Sequence, residues 1–207
     1  MSMNLIIHAA VRRDIARLGS ALDGFPAGSS ARAAQLALAW RNLSYQLTHH
    51  HEGEEEFFWP ALLEVGAPSD LVADRDGEHR RLAAAVSGGD AAFAALEASA
   101  DPANVAAARE AIRTLGDIVD THFSHEESEL EPILMANLET APIKAAVKKV
   151  QRSQGPVAAG RFMAWLADGA CGPEKSALES TIPGPIRFVF GNIVGRGYHA
   201  VASVWAA

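Results

Sequence analysis

The sequence runs to 207 residues with a net charge of −7 and a single cysteine, Cys171. An acidic balance argues against nucleic acid as a partner. A lone cysteine excludes an intramolecular disulfide framework and any multi-cysteine zinc cluster. With 49% apolar and only 7% aromatic residues, the chain can build one helical domain with a full core and an appendage.

The start, Met-Ser-Met-Asn-Leu-Ile-Ile-His, has no basic region and no long apolar run. No signal peptide is therefore expected, and a reducing cytoplasm is the default setting. Charge is unevenly spread. Residues 1–140 hold 10 Lys/Arg against 22 Asp/Glu, whereas residues 141–207 hold 8 against 3. The split predicts a basic tail packed on, or near, an acidic body.

The first helix is expected from about Asn4 to Asp23, with Leu5, His8, Val11, Ile15, Leu18 and Leu22 at three-or-four spacing. Gly24-Phe25-Pro26-Ala27-Gly28 breaks it, and Ser29 or Ser30 caps the next. The second helix, about Ala31 to Val65, has the seam Leu36, Trp40, Leu43, Leu47, His50, Glu54, Phe57 and Ala61. Pro60 removes one backbone bond and crowds the carbonyl of Glu56, so a kink is expected there. The third helix lines up Val72, Arg75, His79, Leu82 and Val86 until Gly88-Gly89 interrupts it, with a further helical piece over 91–98. Asp101-Pro102 reads as a carboxylate cap with Pro at the first helical position. The fourth helix carries Ile112, Leu115, Ile118, His122, Glu126, Leu130 and Ile133.

Beyond residue 140, helical segments are expected over 141–154 and 156–167, followed by a loop-rich bridge over 169–185. Residues 186–205 place Phe190, Ile193 or Val194, Tyr198, Val201 or Ala202, and Trp205 at roughly helical spacing. Arg187, Asn192, Arg196 and His199 make that stretch too polar for a membrane span. A helix docked on the bundle, or at a homo-oligomer interface, is the expectation.

Two stretches share one chemistry: His50-His51-Glu52-Gly53-Glu54-Glu55 and His122-Phe123-Ser124-His125-Glu126-Glu127. In each, a Glu follows a His by four residues and a Pro follows it by ten (Pro60, Pro132). Residues four apart share a helix face, so each copy presents an imidazole beside a carboxylate. The rival frames His51/Glu55 and His125/Glu129 do not keep a common register to the prolines. His8 precedes His50 by 42 residues and His79 precedes His122 by 43, which pairs the helices as two hairpins with one ligand set. Short connections between long amphipathic helices fit an all-α, up-down-up-down four-helix bundle.

A buried unpaired carboxylate costs several kcal/mol, and Arg75 is the only basic residue on these seams. Glu54 and Glu126 inside the bundle, with His8, His50, His79 and His122 around them, therefore call for bound cations. Four imidazoles with two carboxylates are too rich in nitrogen for magnesium or calcium and lack the thiolates of structural zinc. Iron suits the set best, manganese or zinc less well, and two ions better than one.

On these motifs, over roughly residues 1–139, the chain resembles the hemerythrin-like (HHE cation-binding) family. The resemblance implies a four-helix bundle around a non-haem di-iron centre, with Glu54 and Glu126 bridging and the four His as terminal ligands. It further implies dioxygen, peroxide or nitric oxide as the small oxidant bound or reduced. Residues 140–207 form a basic helical extension outside it. Oxygen-carrying members bring a fifth His one turn away on the third helix, whereas His79 here stands between Arg75 and Ala83. Counting donors for two six-coordinate irons, four His leave two positions open where five leave one, which favours redox chemistry over reversible carriage. His49, His51 and His125 are expected on the flank, as exposed polar residues. The alternative to a redox role is a non-enzymatic sensor in which metal occupancy controls the extension.

Overall fold

Ser2 starts the first helix by accepting the Leu5 amide, and helix α1 covers Met3–Asp23. The computed structural model describes residues 1–181 and 194–205, and every regular element among them is helical. Ser29 caps α2, Ser30–Gly53, through the amide of Arg32. The chain then widens into a π-helical turn, Glu54–Phe58, and resumes as α3, Trp59–Glu64. Helix α4 spans Ser69–Ala98 and α5 spans Pro102–His125. A second π turn, Glu126–Leu130, leads into α6, Glu131–Ala136.

The kink expected at Pro60 is thus a π turn, and the second repeat has one in the same place. The physical reason is the one foreseen for a kink. Proline has no amide to donate and crowds the preceding turn, and one extra residue per turn relieves both. The amides of Trp59 and Glu131 reach back five residues, to the carbonyls of Glu54 and Glu126. Asp101 departs from expectation too. It sits at the cap position, but its carboxylate accepts from the Ser99 hydroxyl instead of a helix amide.

Helix α1 packs on α2 and α5, and α4 packs on α2 and α5, which closes a four-membered ring. Leu18, Leu22, Leu36, Leu43, Leu47, Leu82, Leu115 and Val119 fill its centre. Gly88-Gly89 does not interrupt the third bundle helix. A Cβ on Gly89 would collide with the Trp40 indole, which lies against the backbone there, stacks on Phe93 at 4.9 Å and donates to Asp90 at 2.7 Å. Glycine at this point buries a large aromatic between α2 and α4, and packing outweighs its low helix propensity.

Downstream, α7 covers Ala141–Ser153, α8 Pro156–Ala167 and α9 Gly172–Thr181. The last of these lies where a loop was expected; Pro173 in its first turn is compatible with a helix start. Residues 194–205 form a 3₁₀ turn, the short helix α10 (His199–Ala202) and a second 3₁₀ turn instead of one helix. Phe190 and Ile193 lie outside the described residues.

Helix α7 of the extension lies against the bundle with Lys148 and Lys149 exposed and Lys144 paired to Glu139 at 2.6 Å. Ile143 and Ala146 bury against Trp59, Leu62, Val72 and Leu130 at the end where the π turns lie. Farther on, the bundle supplies the cations. Arg17 pairs with Asp168 at 2.7 Å, Tyr198 donates to the same carboxylate at 2.8 Å, and Trp165 donates to buried Asp14 at 2.7 Å. No helix among the described residues is long and apolar enough to cross a membrane.

Candidate metal centre

Each of the four bundle helices carries one predicted histidine inward: His8 on α1, His50 on α2, His79 on α4 and His122 on α5. The carboxylates Glu54 and Glu126 open the two π turns, so the wider turn starts at the acid itself. All six side chains are buried. The structure brings them together.

Two groups share the space. His8, His50, Glu54 and Glu126 form one, and His51, Glu54, His79 and His122 the other; within each, the candidate ligand atoms lie within 4.8 Å of one another. Glu54 belongs to both, and Glu126 reaches from the first toward His122 of the second. Glu54 Oε1 is 3.4 Å from His50 Nε2 while its Oε2 is 3.5 Å from His79 Nε2. Glu126 Oε2 is 3.3 Å from His8 Nε2 while its Oε1 is 3.7 Å from His122 Nε2.

His51 corrects the expectation of an exposed flank residue. It is buried, stacks on His79 at 4.2 Å and meets His122 edge-on at 5.1 Å. His50 and His51, adjacent on one helix, differ by about 100° in direction. With three other helices around the cavity, both directions point into it, toward different groups. The cluster therefore holds five imidazoles. His49 and His125 match expectation: His49 is exposed beside Glu52, and His125 is half-exposed beside Glu78.

Behind the cluster stands a layer of carboxylates that sequence reasoning did not single out as functional. The Nδ1 of His8 lies 2.9 Å from Glu127, that of His79 lies 2.8 Å from Glu55, and that of His122 lies 3.0 Å from Glu78. A carboxylate on Nδ1 fixes the ring and its tautomer, leaving the Nε2 lone pair for a cation. Arg12 steadies Glu127 at 2.6 Å, and Arg75, the buried base on the third helix, lies 3.4 Å from both Glu78 and Glu129. The available signal was an acid beside a ligand in sequence: Glu55 after Glu54, Glu127 after Glu126, Glu78 before His79.

Phe123 stacks on His8 at 3.6 Å, and the Arg12 guanidinium lies over the Phe123 ring at 5.2 Å from its centroid. Phe57 and Phe58 instead pack into the second apolar cluster, against Trp59 and its neighbours.

Electrostatics follow from burial. Burial, helped by the surrounding imidazoles, pushes His50 and His51 well below the ordinary range, and burial outweighs Glu126 and Glu78 to lower His122. These rings are neutral and able to ligate. Burial opposes protonation of His8 as well, but the neighbouring carboxylates of Glu126 and Glu127 overcome it and raise its pKa. Burial, then the charges of Glu126, Glu55 and Glu131, push Glu54 well above the usual carboxylate range. The hydrogen bond from His8, against some burial and with help from Arg12, pulls Glu127 down to about 2.

The donor set fits transition-metal cations, and the orphaned atoms leave the cluster short of positive partners. His51 Nε2, His79 Nε2, His122 Nε2, Glu54 Oε2 and both Glu126 oxygens are buried with no hydrogen-bond partner. Buried polar atoms are almost always paired, so six orphans around one cavity are explained together by cations between them.

A family model, the hemerythrin HHE cation-binding domain, matches residues 7–134. Neither the comparison with curated proteins nor that with solved structures finds a significant match. The matched span covers all four bundle helices and every histidine and glutamate of the cluster, and the chain accordingly belongs to the hemerythrin HHE cation-binding family.

Proposed function

We propose that residues 1–139 form a non-haem di-iron domain that binds or reduces a small oxidant such as dioxygen, peroxide or nitric oxide. Residues 140–207 are its helical extension. In this reading His8 and His50 hold one ion, and His51, His79 and His122 hold the other. Glu54 and Glu126 contribute one oxygen to each. Manganese or zinc suits the same donors less well. The observation that carries the reading is the set of six buried, unpartnered nitrogens and oxygens facing one another.

Bound iron would supply electrons and an open position for a diatomic or peroxide ligand. This chain's own residues do the rest. Five imidazoles would hold the ions, His8 and His50 on one side and His51, His79 and His122 on the other. Phe123 against His8 keeps bulk water from the side of His8 and His50. Glu127, Glu55 and Glu78 hold the rings in place, so a change in ion charge meets a fixed frame. A cytoplasmic setting belongs to the same reading.

Metal content with an optical spectrum, taken before and after exposure to oxygen or peroxide, tests it. About two irons per chain and a spectrum that changes with oxidant support the proposal. Colourless, metal-free protein from iron-replete cells refutes it.

One observation favours a second reading, a sensor. Helix α7 lies on the element that carries His50 and Glu54: Val150 approaches Gly53, and Ile143 packs on the Trp59–Leu62 segment. Metal occupancy could then set the hold on the extension. Equal protease sensitivity of the extension with and without iron would remove this reading.

A further inference from the structure

One buried acid near the cluster has no part in the ligand sets. Glu131 is 7% exposed, and its Oε1 is buried with no hydrogen-bond partner. Its Oε2 has only the amide of Asn4, at 3.5 Å. Among the described residues no ion pair joins Glu131 to any Lys, Arg or His, although several nearby acids have such partners. Glu127 has Arg12 and Glu78 has Arg75.

Two relationships locate it. It follows the second π turn, five residues after Glu126, and its amide bonds the Glu126 carbonyl. It touches α1 at Asn4, one helical turn before His8. Its counterpart in the first repeat is Trp59, which also follows a π turn and lies against His79 at 5.3 Å. One half of the bundle thus follows its π turn with an indole, the other with a carboxylate.

A carboxylate so buried and so poorly partnered costs several kcal/mol unless a positive charge lies near. Two divalent cations bring more positive charge than Glu54, Glu126 and Glu55 cancel, since Glu127 and Glu78 are paired with Arg12 and Arg75. We infer that Glu131 is a further counter-charge of the metal centre, outside the ligand set, which strengthens cation binding through space. This rests on the metal-centre reading and adds a residue to it. Charge inside a low-dielectric interior is only weakly screened.

The test compares wild type with Glu131→Gln and Glu131→Asp, and with the exposed control Glu139→Gln. Ferrous iron, in competition with a chelator, gives affinity and number of ions. Thermal midpoints are read with and without metal. Glu131→Gln should bind the same number of ions about tenfold or more weakly, be no less stable than wild type when metal-free, and gain less on loading. Glu131→Asp, which keeps the charge, should recover most of the affinity. Glu131→Met, of similar volume without charge, should repeat the Gln result. An equal thermal gain in wild type and Glu131→Gln would make the residue structural and overturn the inference. So would loss of one ion per chain, which would make it a ligand. Wild type that takes up no metal would instead refute the metal centre itself.

Discussion

His51 lies nearly flat against His79, with ring centroids 4.2 Å apart and planes 29° from parallel. Two consecutive residues of α2 therefore serve the two halves of one cluster, and α2 supplies the imidazole that the third helix lacks. His51→Leu should remove one of about two bound ions, or weaken it by about 100-fold or more. His49→Leu, on the exposed face, should change neither. Metal analysis after desalting checks both.

The supporting acids should matter nearly as much as the ligands. Glu78 takes the Nδ1 groups of His122 and His125, at 3.0 and 2.7 Å. Replacing it with Gln leaves the ligand set complete but frees the His122 ring to turn. Metal affinity should fall by about 10–100-fold with the helical content unchanged. A chelator competition alongside circular dichroism measures the two separately.

Acid stability should depend on Glu127. Its folded pKa is about 2, set chiefly by the hydrogen bond from His8, against an ordinary value of 4.5. A depressed carboxylate contributes stability that is full above 4.5 and is lost as pH falls toward about 2, because the unfolded chain takes up the proton first. Urea unfolding of the metal-free protein should show wild type more stable than Glu127→Gln above pH 4.5, with the gap closing below it. A gap that stays constant would contradict this.

Two adjacent glycines should behave oppositely. A Cβ on Gly89 collides with Trp40, whereas one on Gly88 meets nothing within 4 Å. Gly89→Ala should destabilise by about 1–3 kcal/mol, as overpacking does. Gly88→Ala, in an exposed helix interior, should stabilise by about 0.5–1 kcal/mol. Thermal melts of the two variants decide.

Much of the bundle was legible because helical periodicity is a local signal. The seam His8, Val11, Leu18, Leu22 on α1 and the seam Leu36 to Glu54 on α2 both face inward as their spacing requires. Gly88-Gly89 misled because its reason, Trp40, lies 49 residues earlier and belongs to another helix. His51 misled because a seam drawn for one helix has one inward direction. A cavity ringed by four helices accepts a wider arc. The π turns were half visible: the prolines marked the place, but a residue inserted into a turn leaves no trace in three-or-four spacing. Total charge gave the extension a basic character but could not show which of its residues touch the bundle, among them Asp168 against Arg17 and Lys144 against Glu139.

The most direct measurement is anomalous diffraction at the iron edge from crystals of iron-loaded protein. Two peaks are predicted, one between His8 and His50, the other among His51, His79 and His122, with Glu54 and Glu126 reaching both. An empty cluster in iron-loaded crystals, or iron bound only elsewhere on the chain, would contradict the metal centre.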